Sequence, residues 1–210
     1  MKDPALLDAP ATPCTRGRPR EFDADAALAA ALGVFWSKGY EGASLTDLTE
    51  AMGISRPSLY ASFGNKEALF RRALDLYERE KLGYMALALD APTSREVAER
   101  LLTGALDNMT SSCGPRGCLG VIGAMACGSE AEGVRAEVIA RRAPAHQALV
   151  DRLARARDTG DLPADSDPAG LARLLMVVIQ GMAVQAGSGA AREELASVIA
   201  ASLASWPGRA

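Results

Sequence analysis

Between Ile54 and Phe70 the chain reads ISRPSLYASFGNKEALF, and its side chains suit hydrogen bonding to a polyanion better than bond-breaking chemistry. Ser55 is a good N-cap, so the pattern predicts a short helix starting at Arg56 with Pro57 second. Proline is tolerated in a first turn because the amide it lacks has no intrahelical partner there. Ile54, Leu59 and Phe63 can face a core. Arg56, Pro57, Ser58, Tyr60, Ala61 and Ser62 are left outside. Arg56 can donate two hydrogen bonds to a guanine edge, and Ser58 and Ser62 can pair with bases or phosphates. Pro57 and Ala61 offer apolar contact to a thymine methyl, and the Tyr60 hydroxyl can reach a phosphate.

The second chemically suggestive stretch is SSCGPRGCLGVIGAMACGSE, Ser111–Glu130, with Cys113, Cys118 and Cys127. Three readings stay open. Buried cysteines can act as small hydrophobes beside glycines that allow close helix packing. Cys113 or Cys118 can be a thiolate helped by Arg116 and a helix N-terminus, and so sense oxidants or electrophiles. The three cysteines, with Met109 or Met125, can hold a soft ion such as Cu(I). Their spacing is not that of a zinc finger, and the one histidine, His146, is distant in sequence, so no metal or other cofactor is assigned. An enzyme is not expected: a cysteine hydrolase needs a histidine base, and there is no phosphate loop, dinucleotide fingerprint or H-E-x-x-H.

These residues need elements to position them. With 210 residues, 49% hydrophobic and 5% aromatic, and little period-two alternation, the chain reads as all-α. Residues 1–15 read as a disordered tail, followed by an extended basic arm around Arg16, Arg18 and Arg20. Helices are expected over 23–38, 44–52, 56–63 and 66–87, then roughly 94–110, 117–127, 131–158, 168–187 and 190–204. Gly39 and Gly53 end the first two, and Ser44 with Asp47 forms a capping box. Asn65 caps the helix starting at Lys66, whose free amides suit a phosphate oxygen, as does Thr46 near an earlier helix start. The pair of helices joined by Gly53-Ile54-Ser55 is a helix-turn-helix pattern, whose second helix enters the DNA major groove. The Arg16–Arg20 arm can lie in a minor groove.

Charge does not argue for this by itself. The formal net charge is −3, and the segment from Arg16 to Lys66 holds six basic and six acidic residues. Affinity must come from segregation, with Glu21, Asp23, Glu41 and Glu50 turned from the duplex. No secretory signal precedes the cysteines, and the longest strongly apolar run, Leu174–Ile179, is too short for a bilayer. A cytoplasmic protein without membrane contact is expected.

The stretch FWSKGYEGASLTDLTEAMGISRPSLYASFGNKEALF resembles the DNA-binding domain of the TetR family of bacterial one-component repressors. The resemblance rests on Phe35, Gly39-Tyr40, Ser44, the Gly53-Ile54-Ser55 turn, Leu59-Tyr60, Phe63, Lys66-Glu67 and Leu69-Phe70. It implies phosphate contacts from Tyr60 and Lys66, an all-α homodimer on double-stranded operator DNA, and a variable C-terminal domain for a small inducer. Pro57 departs from the glycine, lysine or other small or polar residue common there. The expected division is a DNA-binding domain over 16–66 and a ligand-binding and dimerisation domain over 67–210. Arg116–Leu119, RGCL, resembles a signature of one subgroup.

Asp167–Ala186 resembles the penultimate helix that many members use to dimerise, with Leu171, Leu174, Leu175, Val178 and Met182 as its apolar stripe. Twin recognition helices must sit about 34–36 Å apart to meet successive major grooves. An inducer pocket is expected between 94–127 and 168–186, lined by Leu102, Met109, Cys118, Leu119, Ile122, Met125, Met176 and Met182. The expected function is a repressor released by a small hydrophobic inducer. The alternative is a thiol-based redox or electrophile sensor, or a copper sensor, using Cys113, Cys118 and Cys127.

Overall fold

The structure is a computed structural model that describes residues 22–112, 114–125 and 131–207, with 123–125 by backbone alone. Arg16, Arg18, Arg20, Cys113, Cys127 and the Met125 side chain lie outside the described residues. Among the described residues there are ten helices and no strand, so the all-α class holds. They are α1 Ala24–Gly42, α2 Leu45–Met52, α3 Arg56–Phe63, α4 Lys66–Lys81, α5 Gly83–Leu89, α6 Ser94–Thr110, α7 Leu119–Met125, α8 Glu132–Asp158, α9 Pro168–Gly187 and α10 Arg192–Ala204.

Two hydrophobic cores organise them. The first gathers Phe35 of α1, Leu48 of α2, Leu59 and Phe63 of α3, and Phe70 of α4. Phe35 and Phe70 meet edge to face at 5.0 Å, a favoured aromatic geometry. This core continues past Lys66 along α4 to Leu76 and Tyr77, and takes in Leu119, Val134 and Val138. The division expected at 66/67 therefore falls inside a packed unit. The second core is built by α6, α8, α9 and α10, with Leu101, Leu102, Leu153, Leu175 and Leu195 at its centre.

The long helix expected over 66–87 breaks at Leu82, whose φ of −105° and ψ of 3° leave the helical range. Gly83, a poor helix former, then opens α5. The break seats Tyr84 on α6 at Gly104, where a Cβ would fall 2.4 Å from the tyrosine ring. Glycine is required there by close approach.

Helix α9 is, by length and composition, long and apolar enough to cross a membrane, although its longest apolar run is short. In this fold one face of it is interior and the other is exposed. Ala172, Leu175, Ile179, Met182, Ala183 and Ala186 are buried in the second core.

The start of α2 has the expected capping box. The Asp47 amide donates to Ser44 Oγ at 3.0 Å, the Ser44 amide donates to Asp47 Oδ2 at 3.0 Å, and Lys38 Nζ lies 2.6 Å from Asp47 Oδ1. Hydrogen bonds from Lys38, then from Ser44, lower the Asp47 pKa from 3.8 to about 2. A depressed folded pKa gives a stabilisation that is complete above about pH 4 and lost as pH falls towards 2. Asp47→Asn should therefore unfold at lower temperature than the wild type at neutral pH. The two thermal midpoints should converge between pH 4 and 2.

Candidate nucleic-acid interface and internal cavity

The turn before α3 is built from backbone rules. Gly53 sits at φ 64°, and the amides of Gly53 and Ile54 donate to Glu50 and Thr49 carbonyls at 3.2 and 3.1 Å, closing α2. Ser55 Oγ accepts from the Ser58 amide at 3.3 Å, and Pro57 stands in the first turn. Leu59 and Phe63, one turn apart, are buried and fix the roll of α3. Arg56, Pro57, Tyr60, Ala61 and Ser62 are exposed, with Tyr60 at 48%.

The expected contact residues differ in how far they are engaged. Arg56 Nη2 donates to Thr46 Oγ1 at 2.9 Å, which joins two of them across the turn. Ser58 is half-buried, and its hydroxyl lies 2.9 Å from Ser55 Oγ, so its side chain helps the cap. Ser62 is exposed, while its carbonyl accepts from Arg72 Nη1 at 3.1 Å. Lys66 opens α4 beside Asn65, whose Oδ1 accepts from the Ala68 amide at 2.8 Å. The Lys66 ammonium lies 4.7 Å from the centre of the Tyr40 ring. Partial burial lowers the Lys66 pKa, and Glu41 opposes that shift. The Tyr40 support was not foreseen, because it joins residues twenty-six positions apart.

Two acids of this segment have structural work. Asp23 caps α1 by accepting from the Asp25 and Ala26 amides, and Asp47 is held by Ser44 and Lys38. Both carboxylates are thus engaged at helix starts.

Behind the first core lies a cavity of about 370 Å³, within the range of small-molecule sites. Leu74, Leu101, Val121, Leu149, Met176 and Ile179 give it apolar walls. Its polar groups gather near Cys118. Tyr77 Oη accepts from Asn108 Nδ2 at 3.2 Å and donates to Cys118 Sγ at 3.3 Å. Burial, then proximity to Cys118, pushes the Tyr77 and Tyr84 phenols well above their ordinary pKa, so both are neutral donors. Glu78, Arg141, Arg142 and Gln180 complete the polar lining.

This changes the expected lining. Cys118 and Met176 are at the wall. Leu102, Met109, Leu119 and Met182 are instead packed in the cores. Leu101 faces the cavity and Leu102, 100° further round α6, faces away. Ile122 is half-buried against the first core. Tyr84, Arg142 and Gln180 were missed, and no local pattern marks them.

The exposed side of α9 also differs from the expected stripe. Leu175 and Met182 are buried within the chain, and Leu171 and Val178 pack partly on the second core. Leu174 (47% exposed), Val177 (59%) and Val184 (45%) form the outward apolar row, with Val198 of α10 also exposed. Both sides of α9 are apolar, so periodicity could not tell them apart.

Residues 27–73 match the family model described as bacterial regulatory proteins, tetR family, and residues 98–202 match a tetracyclin repressor-like C-terminal domain. The HTH-type transcriptional repressor ComR of Escherichia coli is 36% identical over 195 residues, 92% of this chain and 93% of ComR. The HTH-type transcriptional repressor BdcR of Escherichia coli is 46% identical over 61 residues, 29% of this chain and 31% of BdcR. A solved structure of a cysteine mutant of the TetR family transcriptional regulator CifR, complexed with 26-bp double-strand operator DNA, is 45% identical. It has a TM-score of 0.85 and covers 90% of this chain and all of that one.

Proposed function

The chain belongs to the TetR family of bacterial regulatory proteins, and from that premise we propose that it holds operator DNA as a homodimer and lets go when a small, mainly apolar inducer fills the cavity. It is a helix-turn-helix transcriptional repressor, not an enzyme. Its work is done where the bacterial chromosome is, in the cytoplasm. The observation that carries the inducer reading is the placement of α4. This one helix has Lys66 at its exposed end, next to α3, and Tyr77 at the wall of the cavity.

On this reading Arg56 reads a base edge, Pro57 and Ala61 touch base methyls, and Tyr60, Lys66, Thr46 and Ser62 hold phosphates. The Arg16, Arg18 and Arg20 arm adds a minor-groove contact. The dimer forms through Leu174, Val177 and Val184 of α9 with part of α10, an apolar strip that two-fold symmetry can bury against itself.

A second reading has its own observation. Cys118 is a free thiol on the cavity wall, so a small oxidant or electrophile that enters can meet it. Among the described residues no three His, Cys, Asp or Glu side chains are grouped to hold a metal. Cys113 and Cys127, the other cysteines of the copper alternative, lie outside the described residues, so the observation at hand bears on Cys118 alone.

Binding to a duplex from the promoter of its own gene, followed by fluorescence anisotropy, tests the first reading. Tyr60→Phe and Lys66→Ala should weaken binding on every duplex, with a shallower salt dependence for Lys66→Ala. Arg56→Ala should cost about 1–3 kcal/mol on the preferred site and relax base preference. Unchanged affinity in all three variants would refute the proposed DNA surface. Val177→Asp should shift the protein to monomer in analytical ultracentrifugation and weaken operator binding at least tenfold; a stable dimer excludes α9 as the interface. Peroxide should release the operator from the wild type but not from Cys118→Ser if the thiol reading holds, and equal release from both removes it.

A further inference from the structure

The charged groups on the cavity wall are Glu78, Arg141 and Arg142. They are not evenly matched. Arg141 reaches Asp75 Oδ1 at 2.6 Å, Glu137 Oε1 at 2.8 Å and Glu78 Oε2 at 3.1 Å, so three carboxylates surround one guanidinium. Burial works against that charge, but the hydrogen bonds it donates to Asp75 and Glu137 leave the Arg141 pKa raised. Arg142 has no carboxylate partner among the described residues. Its one bond there is from Nη2 to the Gly120 carbonyl, which carries no charge.

The position of Arg142 gives this surplus a use. A Cβ on Gly120 would lie 3.3 Å from Arg142 Nη2 and 3.8 Å from Cys118 Sγ. The guanidinium and the thiol therefore flank Gly120 on one side, next to the corner where Tyr77 bonds Cys118. Tyr84 also lines the cavity, and neither its hydroxyl nor the Gln180 amide has a hydrogen-bond partner among the described residues. The cavity thus combines an unmatched cation and two unengaged polar groups with a long apolar wall.

We propose that the cavity's ligand is an amphipathic organic carboxylate, with its anionic head on Arg142 and its apolar body along Leu101, Leu149 and Ile179. The inference rests on reading the cavity as the inducer site. Arg142 is half-buried with no carboxylate partner among the described residues, so an anion arriving in the cavity can form a charge-assisted pair with it. The planar fork of arginine matches a carboxylate through two parallel hydrogen bonds. Tyr84 can donate to the same head. A neutral molecule of the same shape fills the apolar wall but leaves Arg142 unmatched.

Calorimetric titration of the full-length protein at neutral pH separates these cases. The probes are octanoate and 4-phenylbutanoate, each paired with its neutral alcohol, with operator release followed in parallel by anisotropy. The carboxylates should bind at least tenfold more tightly than the alcohols. Arg142→Gln should bring carboxylate affinity down to that of the alcohol and leave the alcohol unchanged, and Arg142→Lys should keep most of the preference. The lysine variant guards against a folding effect of losing the Gly120 bond. Equal binding of acid and alcohol, a preference that survives Arg142→Gln, or no carboxylate binding at millimolar concentration overturns the assignment. If only the alcohols bind and release the operator, the inducer reading stands without the anion. If the carboxylates bind through Arg142 and the operator stays bound, the anion assignment stands and the inducer reading fails.

Discussion

Tyr77 belongs to two environments at once. Its ring packs edge to face on Trp36 of α1 at 4.9 Å, inside the core that fixes the helix-turn-helix. Its hydroxyl stands in the cavity between Asn108 of α6 and Cys118. A phenol with both ends engaged cannot shift at one end without disturbing the other, because packed interiors respond to small displacements as solids do. The first core and the cavity are therefore separated by one side chain. Trp36 adds to the tension. Its Nε1 is buried with no hydrogen-bond partner among the described residues, and an unmatched buried donor costs about 1–3 kcal/mol.

Helix α4 carries this arrangement along its length. On its outward side Arg71 pairs with Glu67 and with Glu137 of α8, and Asp75 and Glu78 pair with Arg141 of α8. Single exposed ion pairs contribute little, but a linked set restrains the register of two helices. The same helix packs inward through Leu69, Phe70, Ala73 and Leu74. It is thus fastened to α8 by charge and to the first core by apolar contact. At Leu82 its helical geometry ends, so this stiff segment is joined to α5 by a joint and not by continuous helix.

The first four helices were legible because local rules decide them. Ser44, Ser55 and Asn65 are caps, Gly53 and Gly64 take positive φ, and Leu59 with Phe63 lies on one face of a two-turn helix. Each signal lies within a few residues of its effect. The break at Leu82 was not legible, since Leu69 to Tyr77 keep helical spacing up to it and only Gly83 hints at a stop. The cavity was the hardest to read. Leu101 and Leu102 are neighbours of the same type, and which one faces open space depends on how α6 meets α8 and α9. For the same reason α9 misled: Leu174 and Leu175 look alike in sequence, yet one is half exposed and the other is core. Arg142 and Tyr84 reach the cavity only through tertiary contacts with Gly120 and Gly104.

For DNA and an inducer to oppose one another, the inducer must bind more tightly to a position of α4 that the operator does not accept. The geometry limits how that can happen. Lys66 and Tyr77 are eleven residues apart on one helix, about 16 Å along its axis. A tilt of α4 about its contact with α8 would move both ends in opposite senses, and the break at Leu82 is where its helical continuity with α5 is interrupted. A ligand lying against Tyr77 would act towards the opposite end of this helix from Lys66. On the proposed reading the operator would act at its tip through Lys66, which is braced by Tyr40 on α1 at 4.7 Å. A coupling of 1–3 kcal/mol between two sites corresponds to a change in affinity of about 5- to 150-fold. The loss of one well-packed aromatic contact such as Trp36 on Tyr77, about 0.5–1.5 kcal/mol beyond area burial, is a substantial part of that range. A disturbance confined to this junction is therefore large enough to matter for DNA binding, with both cores otherwise intact.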